Sequence, residues 1–344
     1  MVIAGPPEYM GKRRWFILAI FVCLLAFSCG RELMAEHKHA DNHLTAYNHS
    51  LATILVEYAS AVYMSDLTQL FTWTCPRCSG LTAGFDIIEL LVDVEHCLQS
   101  FVGVAKDLNA IVIAFRGTQE HSIQNWIEDL YWKQLDINYP GMPDAMVHHG
   151  FYSAYHNTTI RPGILNAVER AKKYYGDLNI IVTGHSMGGA MAAFCGLDLV
   201  VNTEAKNVQV MTFGQPRVGN AAFASYYSQL VPNTIRVTND HDIVPHLPPY
   251  YRYFPQKTYH HFPRELAMQW IYSQGMSVAG NSIADHLVYF GVELMCETWR
   301  SCGIVMDSLA KEYGKMDVKG NIVFSRDSSI LRMKTETNIG GDRM

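Results

Sequence analysis

Asn179-Ile180-Ile181-Val182-Thr183 runs straight into Gly184-His185-Ser186-Met187-Gly188, and an Ala-rich apolar stretch follows without a break to residue 201. A short continuous apolar run that ends in such a turn reads as a buried strand, and the stretch after it as a buried helix. A chain that passes from strand to helix this abruptly needs small neighbours around the bend. Gly184 and Gly188 stand two positions either side of Ser186 and match G-x-S-x-G. The serine is left in a strained backbone conformation, with its hydroxyl pushed above the sheet. The Met187 N–H then lies at the start of the helix, where unpaired donors and the helix dipole favour a developing oxyanion. The bland alternative is a glycine-rich turn carrying an incidental serine.

The same two periods alternate along the middle of the chain. Strands are predicted at 110–115, 179–183, 208–213 and 234–238, and helices at 51–64, 161–175, 187–201 and 220–230. Continuous apolar strands separated by helices of ten to fifteen residues indicate the α/β class, with a mostly parallel central sheet flanked by helices on both faces. The polar stretch from about Lys315 reads as a terminal strand or two and a loose tail. Composition agrees: 49% hydrophobic and 17% charged residues exclude disorder for most of the chain. A formal charge of −5 leaves no basic footprint for nucleic acid.

A serine hydroxyl needs a base, and the base needs an orienting carboxylate, in the chain order Ser, Asp or Glu, then His. The strand ending at Thr238 is followed by Asn239-Asp240-His241-Asp242-Ile243-Val244-Pro245. Asp240 and Asp242 both qualify by position. Downstream histidines are His246, His260, His261 and His286, of which His286 lies far enough along to fold back over the sheet.

The first thirty residues read as a signal peptide: Lys12, Arg13 and Arg14, then an apolar run from Trp15 to Phe27, then Ser28 and Gly30 before a cleavage site. That run is short for a membrane span, and no later segment is long and apolar enough, so no integral membrane segment is expected after cleavage. Residues 31–50 follow as a polar spacer, 51–310 as the folded domain and 311–344 as a C-terminal extension. On a secretory route (to the cell exterior, or the ER or vacuole lumen) Asn48 and Asn157 are acceptors for N-glycosylation, in Asn48-His49-Ser50 and Asn157-Thr158-Thr159. Cys75, Cys78, Cys97, Cys195, Cys296 and Cys302 remain in a compartment that permits disulfides. Cys195 falls in the apolar helix and reads as a buried thiol.

Between Thr118 and Tyr139, Ile123, Trp126, Ile127 and Leu130 recur at helical spacing, with Gln124, Glu128 and Asp129 on the other face. By pattern alone this is a surface helix packing its stripe on the core.

Ordered blocks from Leu51 to Cys296 resemble the class 3 (fungal-type) lipases of the α/β-hydrolase superfamily, and their plant secretory members in particular. They are Trp73-Thr74-Cys75-Pro76-Arg77-Cys78, Ala114-Phe115-Arg116-Gly117-Thr118, Asn125-Trp126-Ile127-Glu128-Asp129-Leu130, His149-Gly150-Phe151, the Ser186 turn, Gly214-Gln215-Pro216-Arg217-Val218-Gly219, Asp242 to Pro249 and Asp285-His286-Leu287. The resemblance implies an α/β-hydrolase-type fold with a short helical lid, Ser186 as nucleophile, and Asp242 and His286 as its partners. It implies Thr118 and Met187 as the oxyanion hole, and turns the 123–130 helix into the lid. It implies a Cys75–Cys78 disulfide, worth about 2 kcal/mol by loop entropy. Met64 stands where fungal members carry a cysteine bridged to one near the domain end, which leaves Cys296 to pair with Cys302. The implied activity is hydrolysis of an acylglycerol ester at a lipid–water interface, with no metal or cofactor. The alternatives are a phospholipase A1, a feruloyl-type esterase and a non-catalytic lipase-like binding protein.

Overall fold

Asn48 opens the first helix by accepting a hydrogen bond from the Leu51 N–H at 3.1 Å. In this computed structural model the described residues are 47–118, 120–132, 137–203, 205–249, 258–263, 265–268, 282–295 and 314–326, all within a unit that begins at Tyr47. The readings of residues 1–30 as a signal and of Cys296 and Cys302 as a pair lie outside them, as does nearly all of the 31–50 spacer. At its end the spacer gives way early: the cap at Asn48 starts the helix at His49.

In chain order the elements are α1 (His49–Ala61), α2 (Leu67–Thr72), β1 (Asp86–Asp93), β2 (Leu98–Ala105), β3 (Ala110–Phe115), α3 (Glu120–Trp132), β4 (Ile137–Asn138), β5 (Met146–Val147), α4 (His149–His156), α5 (Ile160–Tyr175), β6 (Asn179–His185) and α6 (Met187–Asn202). They continue as β7 (Val208–Phe213), α7 (Ala221–Leu230), β8 (Thr234–Asn239), β9 (Glu265–Met268), α8 (Ala284–Leu287), β10 (Val288–Tyr289), β11 (Val292–Glu293), β12 (Gly314–Met316) and β13 (Ile322–Ser325). The central sheet has the order β12-β13-β1-β2-β3-β6-β7-β8-β9. From β3 to β9 every neighbour is parallel. The half that carries the Ser186 turn is therefore the parallel sheet that the apolar runs predict.

The antiparallel half, β12-β13-β1-β2, is an extension of that sheet. It moves the boundary read at residue 310: Ile322 and Phe324 of β13 are buried beside β1, so the folded unit takes in residues 314–326. Their alternation with half-buried Val323 and Ser325 is what one face of a sheet requires.

Helices cover both faces. Gly163 of α5 packs on Leu91 of β1, so closely that a Cβ there would stand 2.4 Å from the Leu91 Cδ2. Leu91 pairs with Ser100 of β2, and the next side chain along that strand, Gln99, turns to the other face. There its amide donates to the carbonyls of Val62 and Met64, just past α1. α6 is buried on all sides from Gly188 to Leu199, as a helix apolar all round must be. Cys75 and Cys78 are joined by the expected disulfide, and Cys195 is a buried thiol. Among the described residues no helix is long and apolar enough to cross a membrane.

Candidate active site

Ser186 sits between β6 and α6 at φ 60°, ψ −129°, a left-handed conformation that side chains rarely adopt. The strain is held in place by packing and hydrogen bonds. The Ser186 N–H donates to the Phe213 carbonyl at 3.0 Å and its own carbonyl accepts from Gly189 at 2.9 Å. A Cβ at Gly184 would stand 2.4 Å from the Gly188 carbonyl oxygen and one at Gly188 2.3 Å from the Phe115 carbonyl oxygen, so both flanking glycines are required by contact. The Ser186 hydroxyl is buried and makes no hydrogen bond in this conformation.

Burial and hydrogen bonding separate the two carboxylates that position leaves open. Asp240 is exposed and pairs with the His241 ring at 2.9 Å. Asp242 is buried, and its Oδ2 lies 2.8 Å from the His286 Nδ1. The same oxygen accepts from the Tyr289 hydroxyl at 2.6 Å, while Oδ1 accepts from the Val244 N–H at 2.8 Å. His286 Nδ1 is thus engaged, and its Nε2 is buried with no hydrogen-bond partner. Of the other downstream histidines, His261 donates from Nε2 to the Pro245 carbonyl and its Nδ1 makes no hydrogen bond, so that ring is not bonded to Asp242. α8, which carries His286, is fastened to the end of β8: Asn239 donates to the Asp285 and Val288 carbonyls at 3.1 and 2.9 Å.

The loop after β3 closes over the same point. At Gly117 a Cβ would meet the Tyr63 hydroxyl at 2.4 Å, the His185 carbonyl at 2.5 Å and the Ser186 Cβ at 2.9 Å. Only glycine allows the loop this close, and the next residue, Thr118, reaches Met187 with its hydroxyl 3.8 Å from the sulfur. The two residues proposed from sequence to share an oxyanion therefore touch across the end of Ser186.

Tyr63 and His185 were not singled out from sequence, and they tie these pieces together. The Gly117 N–H donates to the Tyr63 hydroxyl at 3.0 Å, which donates to His185 Nδ1 at 2.8 Å. His185 Nε2 donates to the His286 carbonyl at 2.7 Å. Burial first, and the neighbouring His286 ring second, hold His185 well below the usual imidazole range, so it stays neutral. A neutral ring with its proton on Nε2 is the tautomer that suits one acceptor and one donor partner. The position of His185 inside G-x-S-x-G was visible, but its partners come from residues 63 and 286 and have no local signature. Tyr63→Phe leaves the Gly117 N–H and His185 Nδ1 buried without a partner. It should cost about 2 kcal/mol in a urea unfolding curve, and an unchanged midpoint would mean the chain of bonds is not formed.

α3 is the amphipathic helix that the spacing predicts. Ile123, Ile127 and Leu130 are buried, Trp126 is half-buried with its ring 6.2 Å from Phe151, and Gln124, Glu128 and Asp129 are exposed. Asn48 and Asn157, the two glycosylation candidates, are both exposed.

A family model described as lipase (class 3) matches residues 112–252. The chain is 36% identical to a lipase of Rhizomucor miehei over 181 residues, 52% of this chain and 48% of that protein. It is 32% identical over 146 residues to a secreted mono- and diacylglycerol lipase of Malassezia globosa, covering 40% of this chain and 47% of that one. The solved structure of Rhizomucor miehei triacylglyceride lipase superposes with a TM-score of 0.62 at 30% identity, over 72% of this chain and 97% of that chain. The matches span about half the length of these curated relatives and nearly all of the solved chain.

Proposed function

Because the chain belongs to the class 3 lipase family, we propose that it is a serine carboxylic-ester hydrolase that releases fatty acids from acylglycerols. The observation that carries this reading is a strained, buried Ser186 with an unpartnered hydroxyl, together with a buried His286 whose Nδ1 is held by Asp242 and whose Nε2 is unpartnered. Ser186 Oγ attacks the ester carbonyl carbon as His286 Nε2 takes its proton. Asp242 fixes the imidazole tautomer and stabilises the imidazolium. The N–H groups of Thr118 and Met187 receive the oxyanion, the latter at the positive end of α6. Collapse of the tetrahedral species returns the proton from Nε2 to the leaving alcohol, and water releases the acyl group by the same steps in reverse order. These steps call on no metal or cofactor.

Ser186 and His286 are wholly buried, so an ester reaches them only when a segment of the protein moves. α3 is the segment we assign as that lid. Its apolar stripe and Trp126 would face the lipid once displaced, and this favours acylglycerols over a polar feruloyl ester. The two fungal relatives are named for triacylglycerides and for mono- and diacylglycerols, which supports the same class. A secretory route is part of the reading: residues 1–30 act as the signal, and the exposed Asn48 and Asn157 are open to glycans.

Incubation with a p-nitrophenyl alkylphosphonate should add one phosphonyl group per chain, on Ser186, as located by peptide mass spectrometry. Hydrolysis should rank emulsified triolein and p-nitrophenyl butyrate above phosphatidylcholine and methyl ferulate. Equal labelling of Ser186→Ala removes the proposal, and a preference for methyl ferulate removes its lipid half.

A further inference from the structure

Five large apolar side chains stand exposed among the described residues, and three of them fall on two adjoining hairpin tips. Val94, in the turn between β1 and β2, is 42% exposed; Met316, at the end of β12, is 61% exposed; Val318, in the turn before β13, is fully exposed.

The strand registers place both tips at the edge of the sheet where Ser186 stands. β3 and β6 are parallel and end together, with Phe115 opposite Gly184. β2 runs against β3, so Ser100 near its start faces Phe115. β1 returns to end at Asp93 opposite Leu98. β13 starts at Ile322 opposite Val92, and β12 ends at Met316 opposite Ile322. Three to five strand spacings put Val94, Val318 and Met316 roughly 14–24 Å to one side of β6. The other two exposed side chains, Leu81 and Val201, lie ahead of the start of β1 and at the far end of α6, away from this edge.

The tips are fixed in place. Asp317 Oδ1 accepts from the Lys319 and Asn321 N–H groups, and its Oδ2 from the Asn321 amide at 3.0 Å. Asn321 Oδ1 in turn accepts from the Val94 N–H at 2.9 Å, and Lys319 pairs with Glu95 at 3.2 Å. These bonds join one hairpin to the other and hold Val318 outward. Lys315 and Lys319 are balanced by Glu95 and Asp317, which leaves apolar contact as the attraction on offer. β12 is only three residues long, a poor template for a partner's strand.

We infer that the two tips form a lipid-contacting rim, in which Val318 and Met316 enter a lipid surface while the Ser186 edge faces it. The inference rests on the ester-hydrolase reading for what happens at Ser186, but the contact itself is a matter of binding alone. Flotation of the full chain with phosphatidylcholine vesicles carrying triolein measures it. The variant Met316→Asp/Val318→Asp should lower partitioning about tenfold, and Val318→Asp alone should account for a large part of that. Turnover of p-nitrophenyl butyrate below its solubility limit should stay at the wild-type level. Unchanged partitioning of Val318→Asp, at a site whose exposure makes no demand on folding, overturns the inference. A wild type that sediments as a dimer beside a monomeric variant also overturns it, assigning the tips to contact between copies. Absence of p-nitrophenyl butyrate turnover in the wild type removes the ester-hydrolase reading instead, and the flotation result still decides the rim.

Discussion

Asp242→Asn should lower kcat for p-nitrophenyl butyrate by about four orders of magnitude, with the fold intact. The hydrogen bonds around this side chain dictate how the asparagine would sit. Val244 offers an N–H to Oδ1 at 2.8 Å, so the amide oxygen stays on that side. The amide nitrogen then occupies the position of Oδ2 and points its hydrogens at His286 Nδ1, 2.8 Å away. Nδ1 has to accept, the ring proton moves to Nε2, and Nε2 is no longer a base for Ser186. The Tyr289 hydroxyl, which donates to Oδ2 at 2.6 Å, can turn its proton elsewhere, so the exchange is mild for stability. Steady-state kinetics beside a thermal melt separate the two effects. A loss below about tenfold would show that the tautomer of His286 is not set by Asp242.

Tyr289→Phe removes only one of the donors on Asp242, so its effect on kcat should be far smaller than that of the asparagine variant. Tyr289 lies three residues after His286, yet nothing in that spacing marks it. Its role depends on the turn from α8 into β10, which brings the hydroxyl back to β8.

Elements whose side chains share one environment were legible, and those whose chemistry is completed from far away were not. The runs 110–115, 179–183 and 208–213 are mostly apolar because neighbouring strands and helices enclose them, and the structure places strands on all three. Strands β1 and β2 are not legible in the same way. β1 carries Asp86, Glu89 and Asp93, a pattern that does not read as a buried strand, although all three are buried. Their partners explain it: Arg326 and Tyr175 on Asp86, Arg170 on Glu89, and Thr159 on Asp93. Asp93 also has a local partner in His96 at 2.8 Å, but those of Asp86 and Glu89 all lie far off in sequence, so the burial of these two acids depends on contacts that no window of the chain contains. The Ser186 turn lies at the other extreme. Its strand, glycines and helix are consecutive, and the strained backbone follows from local sterics. The choice of Asp242 over Asp240 falls between, since burial and the bond to His286 separate the two in the fold, whereas in sequence only the resemblance to a family favours one of them.

Asp198→Ala is expected to have the largest effect on stability, about 3 kcal/mol and roughly 6–12 °C in Tm. Asp198 is buried on α6 and accepts from Tyr155 at 2.9 Å, from Arg161 at 2.8 and 2.9 Å and from Asn202 at 2.6 Å. Without it, the Tyr155 hydroxyl is stranded and the Arg161 guanidinium has lost its counter-charge. Arg161 is 32% exposed and can lean outward, which keeps the loss at the lower end for a broken buried pair. Burial pushes the Asp198 carboxyl up, but the hydrogen bonds from Arg161, Asn202 and Tyr155 outweigh it and hold it below its ordinary value. The sign of the pH effect follows. A carboxyl with a depressed folded value stabilises above its unfolded value, and this contribution fades as pH falls through the folded one. The gap in Tm between wild type and Asp198→Ala should therefore be full at neutral pH and narrow below about pH 4. Asp198 lies twelve residues from Ser186 along α6, about 18 Å of helix, so kcat below the melting range should match the wild type. Replacing both partners, as Asp198→Leu/Arg161→Met, should recover most of the lost stability, because the charge and its counter-charge leave together. A double variant as unstable as Asp198→Ala would show that the Tyr155 and Asn202 bonds carry the effect, and that the pairing with Arg161 adds little.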